Sequence, residues 1–68
     1  MKLSARNQLA GVVREIEMGV VTARVVLDVN GQRLTAVVTK EAVEDLGLKE
    51  GDRAVAVIKS TEVILMTE

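Results

Sequence analysis

The sequence predicts an all-β fold with one short helix, in the order β-β-β-α-β-β. Three observations predict it. Stretches rich in valine run at strand length through Gly11–Glu17, Val20–Val29, Gln32–Val38, Arg53–Lys59 and Val63–Met66. Asn30-Gly31, between the second and third stretches, has the residue chemistry of a tight hairpin. Only the window from Thr39 to Gly47 departs from this pattern and takes helical spacing.

The elements follow in order. Gly11-Val12-Val13-Arg14-Glu15-Ile16-Glu17 is a short strand with β-branched residues, and Met18-Gly19 ends it with a turn in which Gly19 is free to take positive φ. Val20 to Val29 is the longest β-prone run. It is apolar on both faces in places, as in a strand covered on two sides. Asn30-Gly31 turns the chain because both central residues of a type I′ turn need φ > 0. In the return strand Leu34, Ala36 and Val38 alternate with Arg33, Thr35 and Val37. Thr39 caps a helix whose early acids, Glu41 and Glu44, suit the positive end of the helix dipole. Ala42, Val43, Leu46 and Leu48 follow at helical spacing, and Gly47 ends the helix. After the polar turn Lys49-Glu50-Gly51-Asp52, the fourth strand sets Ala54, Ala56 and Ile58 against Val55 and Val57. Ser60-Thr61-Glu62 turns the chain into a fifth strand, Val63–Met66. Three strands, a helix and two strands is the order of the five-stranded Greek-key barrel known as the OB-fold, with Gly19 and Gly31 at its corners. A mixed open sheet carrying one helix has the same order.

The chain has 68 residues, which sets the expectation of one domain over 1–68. A domain of this size buries only roughly 60 % of the surface its unfolded chain exposes. Small domains are commonly stapled by disulfides, by metals or by self-association. Without Cys there are no disulfides or thiolate metal sites, and without His the commonest metal ligand and general base are missing. Yet 49 % of residues are apolar, so burial against copies of the same chain is the expected staple. The net charge of −1, with no basic run, gives no electrostatic footprint for nucleic acid. The polar start, Lys2-Leu3-Ser4-Ala5-Arg6-Asn7, is unlike a secretory signal, and no apolar run reaches the roughly 20 residues of a membrane span. The expectation is a soluble, cytoplasmic protein.

Two polar clusters stand out. Ser4-Ala5-Arg6-Asn7-Gln8-Leu9 joins a hydroxyl, a guanidinium and backbone N–H groups just before the first strand. Arg offers a rigid fork of donors to a tetrahedral oxyanion, and Ser a flexible one. Lys59-Ser60-Thr61 repeats the theme with a cation and two hydroxyls. Both clusters have plainer readings, as a solvated arm and a polar turn. Thr39 is first of all a helix cap, although free amides at Lys40 and Glu41 beside it attract anions. The carboxylates Glu15 and Glu17, and Glu41, Glu44 and Asp45, fit solvated faces or a helix start. No nucleophile with a base and an orienting group is visible, so the expectation is a binding protein and not an enzyme. Arg14, Glu15, Arg24, Arg33 and Arg53 are expected on the outside of the sheet. Gly47-Leu48-Lys49-Glu50-Gly51-Asp52 matches no nucleotide-binding loop.

Taken together, Ser4-Ala5-Arg6-Asn7-Gln8-Leu9-x-Gly11, Gly19-x-Val21-x-Ala23-x-Val25, Val38-Thr39-x-x-Ala42-Val43, Leu46-Gly47-Leu48 and Lys59-Ser60-Thr61-Glu62-Val63 resemble the molbindin family. These are small cytoplasmic molybdate-binding proteins of the Mop type, and the resemblance covers essentially the whole chain. It implies an OB-fold subunit in a homo-hexamer, a trimer of dimers, that holds molybdate or tungstate between subunits for storage or homeostasis. It implies no organic cofactor and no metal bound as a free cation. By the resemblance, Ser4 and Arg6 are ligands, with the Ala5 and Arg6 amides as backbone donors. Thr39 matches a hydroxyl ligand, and Lys59 and Ser60 match the second cluster. Ala42 stands where some members carry Ser, which removes one side-chain donor. A second kind of oxyanion site, built mostly from backbone amides, maps near Gly19, Val20 and Val21.

Two other readings compete. A single-stranded nucleic-acid-binding OB-fold module would need stacking aromatics and a basic groove, and this chain has no aromatic residue. A structural oligomer without a specific ligand would leave both clusters as polar surface.

Overall fold

A computed structural model describes residues 2–68; Met1 lies outside them. The described chain is mostly β, with one short helix. Strand β1 spans Asn7–Met18, β2 Thr22–Val29 and β3 Gln32–Thr39; helix α1 spans Lys40–Leu46, strand β4 Arg53–Ile58, and a single 3-10 turn Ser60–Glu62. All strand pairings are antiparallel, in the order β3-β2-β1-β4, so β3 and β4 form the two edges of the sheet.

The inward face carries Val13, Ala23, Val25 and Leu27, and α1 lays Val43 on them to close a small core. Leu34 and Val38 of β3 and Ala54 and Ala56 of β4 pack around it, half-buried. The outward face is charged. Arg24 bonds Glu15 at 2.6 Å and Glu17 at 3.5 Å, and Arg33 lies 3.6 Å from Glu15. Arg14 pairs with Asp28 at 3.0 Å. Val26 is fully buried on this same outward row, beside Glu15 and Thr35 in register. The charges expected outside the sheet are there, and Glu15 and Glu17 are occupied by arginine.

A β-bulge between Val13 and Glu15 lets Val13 and Ile16 both face inward. Strict alternation from Val13 would have turned Glu15 into the core, so the extra residue, Arg14, keeps a carboxylate out of apolar surroundings. The Lys49–Asp52 turn docks on this bulge: Gly51 N–H donates to the Val13 carbonyl and Val13 N–H to the Asp52 carbonyl, both at 2.8 Å. The hairpin forms as its residues demand, with Asn30 at φ 51° and Gly31 at φ 86°. Helix α1 has both expected ends. Thr39 Oγ1 accepts from Ala42 N–H at 3.0 Å, and Gly47 takes a left-handed conformation at φ 64°.

Three expectations are corrected. Strand β2 begins at Thr22, not Val20, because Gly19 N–H donates to the Thr22 carbonyl at 2.8 Å and closes a turn over Gly19–Val21. Gly19 does not take positive φ; it is small because a Cβ there would sit 2.7 Å from the Thr22 carbonyl oxygen. Val63–Met66 is not a fifth strand of this subunit. The 3-10 turn before it directs the segment off the sheet, where Ile64, Leu65 and Met66 are 93 %, 87 % and 92 % exposed. The segment pairs with neither free edge of its own sheet, and β-propensity alone does not hold a strand. The five-stranded order therefore becomes a four-stranded sheet with two free edges.

Candidate functional site

The β1–β4 ladder decides where the two polar clusters meet. Its last pair is Asn7 opposite Ile58. Arg6 immediately precedes this pair and Lys59 immediately follows it, so the clusters at the two ends of the sequence converge at one end of the sheet. Asn7 Nδ2 donates to the Ile58 carbonyl at 3.3 Å, which ties the arm to β4. Gln8 Nε2 donates to the Ala5 carbonyl at 3.0 Å and orders the backbone beside Arg6. Neither Asn7 nor Gln8 was assigned a role from sequence, and no local pattern marks an amide side chain as a strut.

Ser4, Arg6, Lys59 and Ser60 are exposed, and Ala5 is half-buried. Among the described residues, Arg14, Arg24 and Arg33 have carboxylate partners, while Arg6 and Lys59 have none within ion-pair distance. This end of the subunit therefore carries two uncommitted cations and three hydroxyls, from Ser4, Ser60 and Thr61. Ser60 also begins the 3-10 turn, where its carbonyl accepts from Val63 N–H at 3.3 Å.

Thr39 does not join them. It pairs with Thr22 at the opposite end of the sheet, beside the Gly19–Val21 turn. The 12 residues of β1 separate the two places, a contour of roughly 35–40 Å at strand rise. Thr39 instead shares one shallow depression of about 450 Å³ with Val20, Val21, Lys40, Glu41 and Glu44, while Gly19 lines a neighbouring one with Met18 and Thr22. The Lys40 amide, expected from sequence to be free, is not: it donates to the Val21 carbonyl at 2.8 Å. Because Thr39 Oγ1 already accepts from Ala42, its own proton remains to be donated outward. Lys40 is half-buried and adds a cation that sequence reasoning passed over, although its place directly after the cap residue was a signal. Glu41 and Glu44 line the same depression and oppose an anion there in a lone subunit.

The carboxyl of Asp28 has a lowered pKa and lies elsewhere. The Gly31 N–H and then the Arg14 guanidinium hold Asp28 below the usual carboxylate range. Asp28 Oδ1 accepts from Gly31 at 2.7 Å and Oδ2 from Arg14 Nη2 at 3.0 Å. Its task is to fasten the β2–β3 hairpin, away from either polar cluster.

Comparison with known proteins identifies the family. Residues 3–65 match the TOBE domain model. The chain is 48 % identical over 67 residues to molybdenum-pterin-binding protein 3 of Clostridium pasteurianum, covering 97 % of this chain and 98 % of that one. It superposes on the structure of a molybdate-binding protein from Sporomusa ovata with a TM-score of 0.95 at 42 % identity, covering 98 % of this chain and all of that one. It also matches the cytoplasmic molybdate-binding protein ModG, solved with molybdate bound, at a TM-score of 0.89 and 54 % identity, covering 94 % of this chain and 46 % of that one. With its length matched almost end to end and its fold shared, the chain belongs to the TOBE-domain family and, within it, to the small Mop-type molybdenum-pterin-binding proteins.

Proposed function

We propose that this protein binds molybdate, and tungstate by the same geometry, between subunits of a homo-oligomer, and that it serves storage or homeostasis of the anion in the cytoplasm. The observation that carries the reading is the placement of Arg6 and Lys59 directly beyond the terminal β1–β4 pair, Asn7 opposite Ile58, both without a carboxylate partner among the described residues. The names of its relatives supply the anion's identity. Ser4, the Ala5 and Arg6 amides, Arg6, Lys59 and Ser60 form one half of the site. Thr39 lies a sheet's length away, so an anion touched by both halves lies between two copies. A dianion in such an interface is costly unless each oxygen is paired, and this set offers donors from two charged groups, hydroxyls and amides. A lining made only of donors favours a fully deprotonated anion, since hydrogen phosphate brings a proton that meets no acceptor. Sulfate is also a donor-seeking dianion, so on this reading only its smaller size tells it apart. Gly19, Val20 and Val21 belong to a second type of site that a further copy completes.

The assembly we propose is the hexamer of the family, a trimer of dimers, with each subunit completed as an OB-fold barrel over its single domain, 1–68. The ligand then acts as a staple that favours the assembled state by mass action. No organic cofactor, nucleic acid or catalytic step enters this reading.

Calorimetric titration tests it. Molybdate is expected to bind tightly, with sulfate and phosphate competing poorly. Arg6→Ala removes a charged donor and is expected to weaken binding by about 1.5–3 kcal/mol, roughly 10- to 150-fold in Kd. Absence of heat with molybdate ends the reading, and an unchanged Kd in the variant removes Arg6 from the site.

A further inference from the structure

We infer that Gln8 is a positioning residue for the oxyanion site: by holding the Ala5 carbonyl, its side-chain amide aims the Arg6 backbone N–H at the anion. The inference rests on the reading above and gives a role to a residue that touches no anion itself. Gln8 Nε2 donates to the Ala5 carbonyl at 3.0 Å. That carbonyl and the Arg6 N–H belong to one peptide unit. A trans peptide is planar and points its C=O and N–H in opposite directions, and no peptide bond among the described residues is cis. A donor that fixes one end therefore fixes the other. The Arg6 N–H is turned away from Gln8, and among the described residues it meets no acceptor.

This peptide unit needs an outside hold. Strand β1 begins at Asn7, so the unit lies before the ladder and strand pairing does not orient it. Asn7 Nδ2 reaches the Ile58 carbonyl at 3.3 Å, which anchors the arm but acts on the peptide unit that ends at Lys59. Gln8 supplies the constraint on the unit that ends at Arg6. Opposite Val57 in register, its exposed side chain turns back three residues along its own chain. An exposed bond between neutral groups adds little to stability. Its consequence is local: the Arg6 amide is held in one direction before the anion arrives, so binding does not have to order it. The bond to the carbonyl also polarises the unit and makes its N–H a stronger donor.

Gln8→Met tests the inference, because it keeps length and neutrality and removes the donor. In the anion-free protein, the NMR order parameter of the Arg6 N–H is expected to fall from about 0.85, the value of rigid backbone, to below about 0.6. The melting temperature is expected to stay within roughly 4 °C of the wild type. The molybdate Kd is expected to rise roughly 3- to 10-fold, and the shift of the Arg6 amide proton on saturation to shrink. An unchanged Kd in the variant, beside a wild type that binds, overturns the inference and leaves the proposed site standing. A raised Kd with the wild-type order parameter and amide shift also overturns it, because Gln8 then acts by another route. A wild type that binds no molybdate ends the proposed function and this inference together. Should Gln8→Met fail to fold, Gln8→Val, a strand former without a donor, is measured in the same way.

Discussion

At the scale of single residues, charge placement separates structural work from binding. Arg14, Arg24 and Arg33 are engaged by Asp28, Glu15 and Glu17 on the outward face, in exposed pairs whose individual worth is small. Asp28 differs from the others because it also accepts a backbone N–H inside the hairpin. Its folded-state pKa is lowered, first by Gly31 and then by Arg14. The unfolded chain therefore binds this proton more readily, and stability rises with pH across that window. The contribution is complete above the ordinary carboxylate range and is lost as pH falls through the lower, folded-state value. Asp28→Asn removes the charge and retains an oxygen for Gly31. Thermal melts across pH are expected to show the variant less stable at neutral pH, with the gap closing in acid; a gap constant with pH would disprove the assignment. The polar clusters were legible at this scale because their residue types are unusual beside valine-rich strands. Their grouping was not. Nothing local to Arg6, Lys59 or Thr39 says which two share an end of the sheet, since that depends on a register set by pairs far apart in sequence.

At the scale of elements, the reading of the sequence succeeded where local chemistry decides and failed where tertiary partners decide. The Asn30-Gly31 turn, the Thr39 cap and the Gly47 stop are each fixed by φ or by a side-chain bond within a few residues, and all three form. The Val13–Glu15 bulge was not foreseen; its signal is the spacing of Val13 and Ile16, which strict alternation cannot bury together. Val63–Met66 has strand composition, but it pairs with neither free edge of its own sheet. Gly11 shows how closely β1 is held against the end of β2. A Cβ there would lie 2.6 Å from the Asp28 carbonyl oxygen and 2.9 Å from Val29 Cγ2. The carbonyl is backbone of a paired strand and yields little, so Gly11→Ala separates β1 from β2 just before the bulge. The expected cost is about 1–3 kcal/mol, read as a fall in Tm of roughly 4–8 °C per kcal/mol for a chain of this size. A variant that melts with the wild type would show that β1 shifts freely there.

At the scale of the whole molecule, the subunit is an incomplete solution to its own composition. Its fully or nearly fully buried apolar residues are Val13, Ala23, Val25, Val26, Leu27 and Val43, a small set for a chain with 49 % apolar residues. Val20, Val37, Leu46 and the Val63–Met66 segment remain outside. The proposed oxyanion site and the proposed self-association meet in one place, because the Arg6–Lys59 end and Thr39 lie at opposite ends of one sheet and reach a common anion only from two copies. An anion held by Arg6 and Lys59 of one copy and Thr39 of another is fully bound only where the two copies meet. The two events are then coupled, and coupling between binding equilibria is reciprocal. Molybdate is expected to tighten self-association by the same factor by which self-association tightens molybdate. Sedimentation equilibrium at several molybdate concentrations measures the first factor, and calorimetry above and below the association range measures the second. Typical couplings of about 1–3 kcal/mol correspond to roughly 5- to 150-fold in either constant. A self-association constant indifferent to molybdate would place the anion within one subunit, and the donors at Arg6, Lys59 and Ser60 would then have to hold it without Thr39 of another copy.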